Sequence, residues 1–152
     1  MPPEAIETLL REAGLNVTAP RLAVLRALDG HPHEGAEEIY RRVAGELPST
    51  SLQAVYGVLG ALTDAGVLRR IEPAGSPARY ERRIGDNHHH LVCTGCGRVE
   101  DVDCLVGEAP CLTPGDTHGF RMQRAEVTFW GRCPDCTAAD AAAAPPAASA
   151  AG

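Results

Sequence analysis

No stretch of the chain approaches the roughly 18 consecutive apolar residues of a membrane-crossing helix, so a helical membrane protein is excluded. The first residues, MPPEAIETLLREAG, carry early acids and no unbroken apolar run, unlike a secretory signal, so a cytoplasmic protein is expected. Aromatics are scarce at 4% against 44% hydrophobic residues, so the interior must be built from Leu, Val, Ile and Ala. Lysine is absent, all 14 basic residues being arginine, and this carries no mechanism by itself. No internal repeat is present.

The 152 residues suffice for one compact domain or two small ones. A net charge of −6 argues against nucleic acid until it is divided. Residues 1–83 hold 10 Arg against 11 acids, a balance of −1, while residues 84–152 hold 4 Arg against 9 acids, a balance of −5. The acidity lies in the second half, and the first is left able to present a basic face.

The first half reads as helices. Residues 3–13 place Ile6, Leu9 and Leu10 at helical spacing and stop at Gly14. Thr18 caps a second helix with Pro20 in its first turn. A third fits 36–46, with Ala36, Ile39, Tyr40 and Val43 on one side. Thr50-Ser51-Leu52-Gln53 has capping-box spacing and opens a fourth, buried along Val55, Leu59 and Leu62 and stopped at Gly66. Two strand-like runs, Val67–Ile71 and Ala78–Arg82, flank a Pro/Gly/Ser turn as a hairpin. Short helices followed by a two-stranded wing make either a generic small helical domain with a hairpin or a winged helix-turn-helix, whose fourth helix is the natural candidate to enter the major groove. Arg21, Arg41, Arg42, Arg69, Arg70, Arg79, Arg82 and Arg83 gather at helix starts and on the wing, where phosphates would lie.

The second half reads as strands at Leu91–Cys93, Arg98–Val102 and Ala125–Trp130, joined through a Pro-, Gly- and acid-rich segment, 103–118. From Thr137 the Ala/Pro-rich run offers nothing to bury, so 137–152 is expected to be a disordered tail. The fold class is therefore α+β: a winged-helix DNA-binding domain over 1–83, a small α/β domain over 84–136 with a four-cysteine zinc site, and the tail.

Cys93-x2-Cys96 and Cys133-x2-Cys136 are two knuckles separated by 36 residues. In a reducing compartment this spacing signals metal rather than disulfide, and four thiolates close a tetrahedral zinc with no position left for substrate. A redox dithiol would need a βαβ context that is missing. Cys104 and Cys111, seven apart, are either small buried residues or a redox pair. In His88-His89-His90 the outer two share one side of a strand. With Glu81 and Asp101 they form a mixed nitrogen and oxygen donor set suited to Fe(II), Mn(II) or Zn(II). His33, ahead of the third helix, either joins that site or serves locally.

In order, HPHEGAEEIY, TSLQAVYGVLGALTDAGVLRRI, ARYE, DNHHHLVCTGCG and WGRCPDC resemble the ferric uptake regulator (Fur) superfamily over nearly the whole chain to Cys136. DVDCLVGEAPC with EVTFWGRCPDC is similar to the actinobacterial A-type members, which regulate catalase-peroxidase genes. The resemblance implies a homodimeric, metal-activated repressor on an AT-rich inverted repeat of double-stranded DNA, not an enzyme. It assigns a regulatory Fe(II) or Mn(II) site to His33, Glu81, His88, His90 and Asp101, and structural zinc to Cys93, Cys96, Cys133 and Cys136. Tyr56 matches the family's base-reading tyrosine, with Gln53, Arg21 and Arg70 as further DNA contacts. Two departures stand out. Gly57 replaces an arginine common in the family, and a further metal site retains His89 and Glu108 but has Ala125 where a histidine belongs, His118 being out of register. No complete third site is expected.

Three signals compete. A peroxide sensor, in which iron-bound protein is oxidised at a histidine ligand, is favoured by Asp rather than Glu at 101 and by the A-type likeness. An iron-sufficiency sensor comes second, and a zinc-uptake regulator third, because residues 70–85 contain no cysteine. A zinc-dependent hydrolase would need an open metal position and a general base such as Glu81 or Asp101.

Overall fold

The computed structural model describes residues 1–82, 88–103, 115–121 and 126–144. The chain forms two compact units, Met1–Asp86 and Asn87–Gly152.

The first unit runs α1 (Pro3–Glu12), α2 (Ala19–Ala27), β1 (Glu34–Gly35), α3 (Ala36–Glu46), α4 (Leu52–Asp64), β2 (Arg69–Ile71) and β3 (Arg79–Glu81). Its core is aliphatic, as the shortage of aromatics requires. Ile6 and Leu10 of α1, Val24 and Leu25 of α2, Ile39 and Val43 of α3, and Val55, Leu59 and Leu62 of α4 are all buried, and Tyr80 is the aromatic that joins them. Each such aliphatic side chain contributes roughly 1.5–3 kcal/mol on leaving water. Gly14 and Gly66 hold the left-handed conformation that lets a helix end in one residue, at φ 71° and 70°.

Two local expectations need correction. Thr18 is the N-cap residue of α2 but makes no side-chain cap bond. On α4 the cap is Ser51, whose Oγ accepts from the Ala54 N–H at 3.1 Å, so the box does not begin at Thr50 and Gln53 stays exposed. β2 and β3 form the wing, and β1 adds a third strand in the order β1-β3-β2, all antiparallel.

In the second unit β4 (His88–Cys93) is central, with β5 (Val99–Asp103) antiparallel on one side and β6 (Thr128–Gly131) parallel on the other. The helix α5 (Pro134–Ala143) follows at once. Here the expected tail is corrected: Thr137–Ala143 is helical. Cys133 caps the helix, Pro134 starts it, and alanine is the strongest helix former. Residues 145–152, most of the 103–118 segment, Arg83, Cys104, Glu108, Cys111 and Ala125 lie outside the described residues.

Candidate metal and nucleic-acid sites

The four-sulfur centre follows from strand register. Cys93 ends β4 opposite Gly131 of β6, which brings the second knuckle beside the first. Thr94 N–H donates to the Gly131 carbonyl at 2.8 Å, and Cys133 N–H to the Cys93 sulfur at 3.3 Å. Gly97, at φ 74°, turns the first knuckle. The ligand atoms of Cys93, Cys96, Cys133 and Cys136 all lie within 4.8 Å of one another. Cys96 and Cys133 sulfurs are 3.8 Å apart, close to the ~3.8 Å edge of a tetrahedron with 2.3 Å Zn–S bonds.

The sulfurs cannot all ionise together unaided. Cys93 is held down at about 5 by the Cys133 N–H above all, then by those of Cys96 and Gly95. Cys136 is pushed up to about 12, first by its hydrogen bond with Cys133 and then by those with Cys93 and Cys96. A divalent cation removes this conflict. Four soft donors and no oxygen or nitrogen fit zinc in a closed, structural role.

The imidazole and carboxylate donors occur in both units. In the first, Nε2 of His33 lies 2.9 Å from Oε2 of Glu81, both side chains being almost wholly buried. His33 is non-glycine yet left-handed, at φ 63°. This conformation costs roughly 1–3 kcal/mol and concentrates at functional sites. Its carbonyl accepts from Arg79 Nη1 at 3.1 Å, and the β1–β3 pairing sets Glu34 opposite Tyr80, so wing strand β3 supplies both Glu81 and a support for His33.

In the second unit β4 aims His88 and His90 to one side, their rings 5.0 Å apart and edge to face. Their Nε2 atoms stand 3.6 and 3.5 Å from the same Oδ1 of Asp101, which is paired with His90 across the β4–β5 ladder. His89 faces the other way, edge-on to Phe129 at 6.0 Å, as strand alternation requires. Its Nδ1 is buried with no hydrogen-bond partner among the described residues. His118 is exposed and turned to Asp116.

On the nucleic-acid face, α4 exposes Gln53, Ala54, Tyr56, Gly57, Gly60 and Asp64, and Tyr56 is 46% exposed. The helix carries no cation. Arg70 on the wing is half exposed and paired with Glu72, and Arg21 donates to the Asn16 carbonyl at 2.7 Å. The arginine cluster divides in two. Arg41 and Arg42 are exposed on α3, whereas Arg69 and Arg79 are turned inward, Arg69 Nε lying 3.7 Å from Glu81 Oε1 and Arg79 supporting His33; Arg82 is partly covered and its Nη1 lies 3.6 Å from the exposed Asp29. Arg69 and Arg79 are corrected from phosphate ligands to internal partners. Sequence reasoning missed them because a run of arginines on a two-faced strand does not say which guanidinium turns in.

The model of the ferric uptake regulator family matches residues 12–129. The transcriptional regulator FurA of Mycobacterium tuberculosis is 59% identical over 131 residues, spanning 86% of this chain and 89% of that protein. Among solved structures, the Vibrio cholerae ferric uptake regulator superposes with a TM-score of 0.64 at 27% identity, over 84% of this chain and 98% of that one. The Campylobacter jejuni peroxide stress regulator gives 0.61 at 27% identity, over 88% and 97%. The two scores are so close that likeness of fold does not choose between an iron regulator and a peroxide regulator.

Proposed function

The chain belongs to the ferric uptake regulator family, and from that premise we propose that it is a homodimeric, metal-dependent repressor in the cytoplasm, binding an AT-rich inverted repeat and releasing it on peroxide. It acts on DNA as a regulator, not as an enzyme, in keeping with the names of its relatives. Zinc in the four-sulfur centre holds the second unit together. Fe(II) or Mn(II) is regulatory, held by His33 and Glu81 from the first unit and by His88, His90 and Asp101 from the second.

The supporting observation is the convergence of two buried imidazoles on one Asp101 oxygen, a donor set for a borderline divalent cation. His33 and Glu81 are a second, separate pair of the same chemistry. A ligand set drawn from both units favours only the arrangement that satisfies both, and so biases where the wings are held. Bound Fe(II) would supply a one-electron reductant for peroxide, which Mn(II) and Zn(II) do not. The chain's part is to orient the imidazoles by Asp101 and Glu81 and to shield them from water.

Dimerisation is supported by exposed apolar groups on the second unit: Leu91, Phe129 and Trp130 are each nearly half exposed, and the two strands that carry them pair side by side. On DNA, Tyr56 and Gln53 read bases, with Arg70 and Arg21 on phosphates.

Operator binding titrated with Mn(II), Fe(II) and Zn(II), with and without peroxide, tests the reading. Release of DNA by peroxide only from the iron-loaded protein, with one oxygen added to His33 or His88 by peptide mass spectrometry, is the expected result. An unmodified iron-loaded protein that lets go only on chelation returns the reading to iron sufficiency.

A further inference from the structure

Arg132 stands between the end of β6 and Cys133, and one carboxylate holds one edge of its guanidinium by two parallel bonds. Nε donates to Oδ2 of Asp140 at 2.9 Å, and Nη2 to Oδ1 at 2.5 Å. Such a fork fixes the plane of the cation as well as its position. A methyl group on Gly95 would lie 2.9 Å from the Arg132 Cζ and 2.9 Å from the Cys136 sulfur, so cation and sulfur border one small space. Among the described residues Arg98 also lies near the knuckles; it precedes β5 and is engaged by Glu100 at 2.6 Å and by Asp135 at 3.9 Å.

Four thiolates around a divalent ion leave an excess charge of about −2. That excess is what makes a metal-bound sulfur nucleophilic, and neighbouring cations or N–H donors diminish it. A repressor that answers peroxide through one site must keep peroxide from dismantling the other.

We propose that Arg132, held by Asp140, is a positioning residue of the sulfur centre: it offsets the excess charge at Cys136 and slows the attack of that sulfur on hydroperoxides. The proposal rests on the zinc reading above. The slowed reaction begins when a sulfur attacks one peroxide oxygen; the O–O bond breaks, hydroxide leaves and a sulfenic acid remains. A second cysteine sulfur then displaces that oxygen as hydroxide. Two thiolates and one hydrogen peroxide thus become one disulfide and two hydroxides, and the metal loses two ligands. The low-complexity run that supplies Asp140 thereby becomes part of the centre's protection.

The test uses the full chain, zinc-loaded and iron-free, with zinc content measured first. Zinc release under excess hydrogen peroxide is followed with a colorimetric chelator, and Cys136 oxidation by peptide mass spectrometry. Arg132→Met is expected to release zinc roughly tenfold faster, with high salt narrowing the gap. Arg132→Lys keeps the charge and stays near the unsubstituted rate. Asp140→Asn, which frees the guanidinium without emptying its place, falls between, and it decides the matter if the methionine variant does not fold. A methionine variant no faster than the unsubstituted protein overturns the proposal. So does a lysine variant as fast as the methionine one, which would make the fork a packing feature. An unsubstituted chain that purifies folded but without zinc defeats the zinc reading itself, and is recognised before any peroxide is added.

Discussion

The imidazole of His33, in the turn that leads into β1, meets the carboxylate of Glu81, the last residue of β3, at 2.9 Å across 48 residues of chain, and both are buried. His33→Ala therefore removes one donor without touching the four-cysteine centre. His88→Ala does the same in the second unit. Both variants are expected to keep zinc and self-association while losing metal-stimulated operator binding. A coupling of roughly 5–150-fold between metal and DNA should collapse towards unity in fluorescence anisotropy with and without Mn(II). A His33→Ala protein that still responds fully to Mn(II) removes His33 from the regulatory site.

Cys96→Ser and Cys133→Ser should unfold or dissociate the second unit. Structural zinc contributes on the order of 10–16 kcal/mol, as much as the roughly 5–15 kcal/mol by which a whole domain is stable. Metal analysis with sedimentation checks this. A folded, zinc-free dimer of either variant would contradict the structural role.

The helices and the cysteines were legible in the sequence because each depends on near neighbours. Val55, Leu59 and Leu62 recur at helical spacing, and two cysteines with two residues between them make a knuckle wherever they fall. What distant partners decide was not legible. β1 is two residues long and exists only because Tyr80 and Arg79 lie opposite it. α5 buries no side chain, and its amphipathic signal is absent because the Cys133 cap and the Arg132–Asp140 fork hold it instead. Arg69, Arg70 and Arg79 looked alike as charges, and only the fold turns Arg69 and Arg79 inward and leaves Arg70 at the surface.

Tyr56→Ala should weaken operator binding by about 1–3 kcal/mol and relax the preference for thymine at one position, if the exposed ring reads a base edge. Binding to operator and random DNA is compared at one salt concentration. Equal losses on both would make Tyr56 a backbone contact.

Gly57→Arg should tighten binding to all sequences alike. A Cβ at 57 meets nothing within 4 Å, so the side chain fits without strain, and the helix gains up to about 1 kcal/mol on losing a glycine. One added phosphate contact steepens the dependence of log affinity on log salt by about one unit. An unchanged slope would mean that this face of α4 lies away from the backbone of the duplex.

Because β6 lies parallel to β4, no tight turn can join them, and the second unit is finished late. At the ribosome's pace of roughly 5–20 residues per second, the 36 residues between the knuckles take a few seconds to appear. Over that interval Cys93 and Cys96 are a dithiol without the second pair of sulfurs. If the four sulfurs hold zinc as proposed, the newborn chain, rather than the mature one, is expected to be the form most easily misloaded or oxidised. Scarce zinc or a burst of oxidant would act first on the supply of new regulator, leaving the existing stock to govern the response.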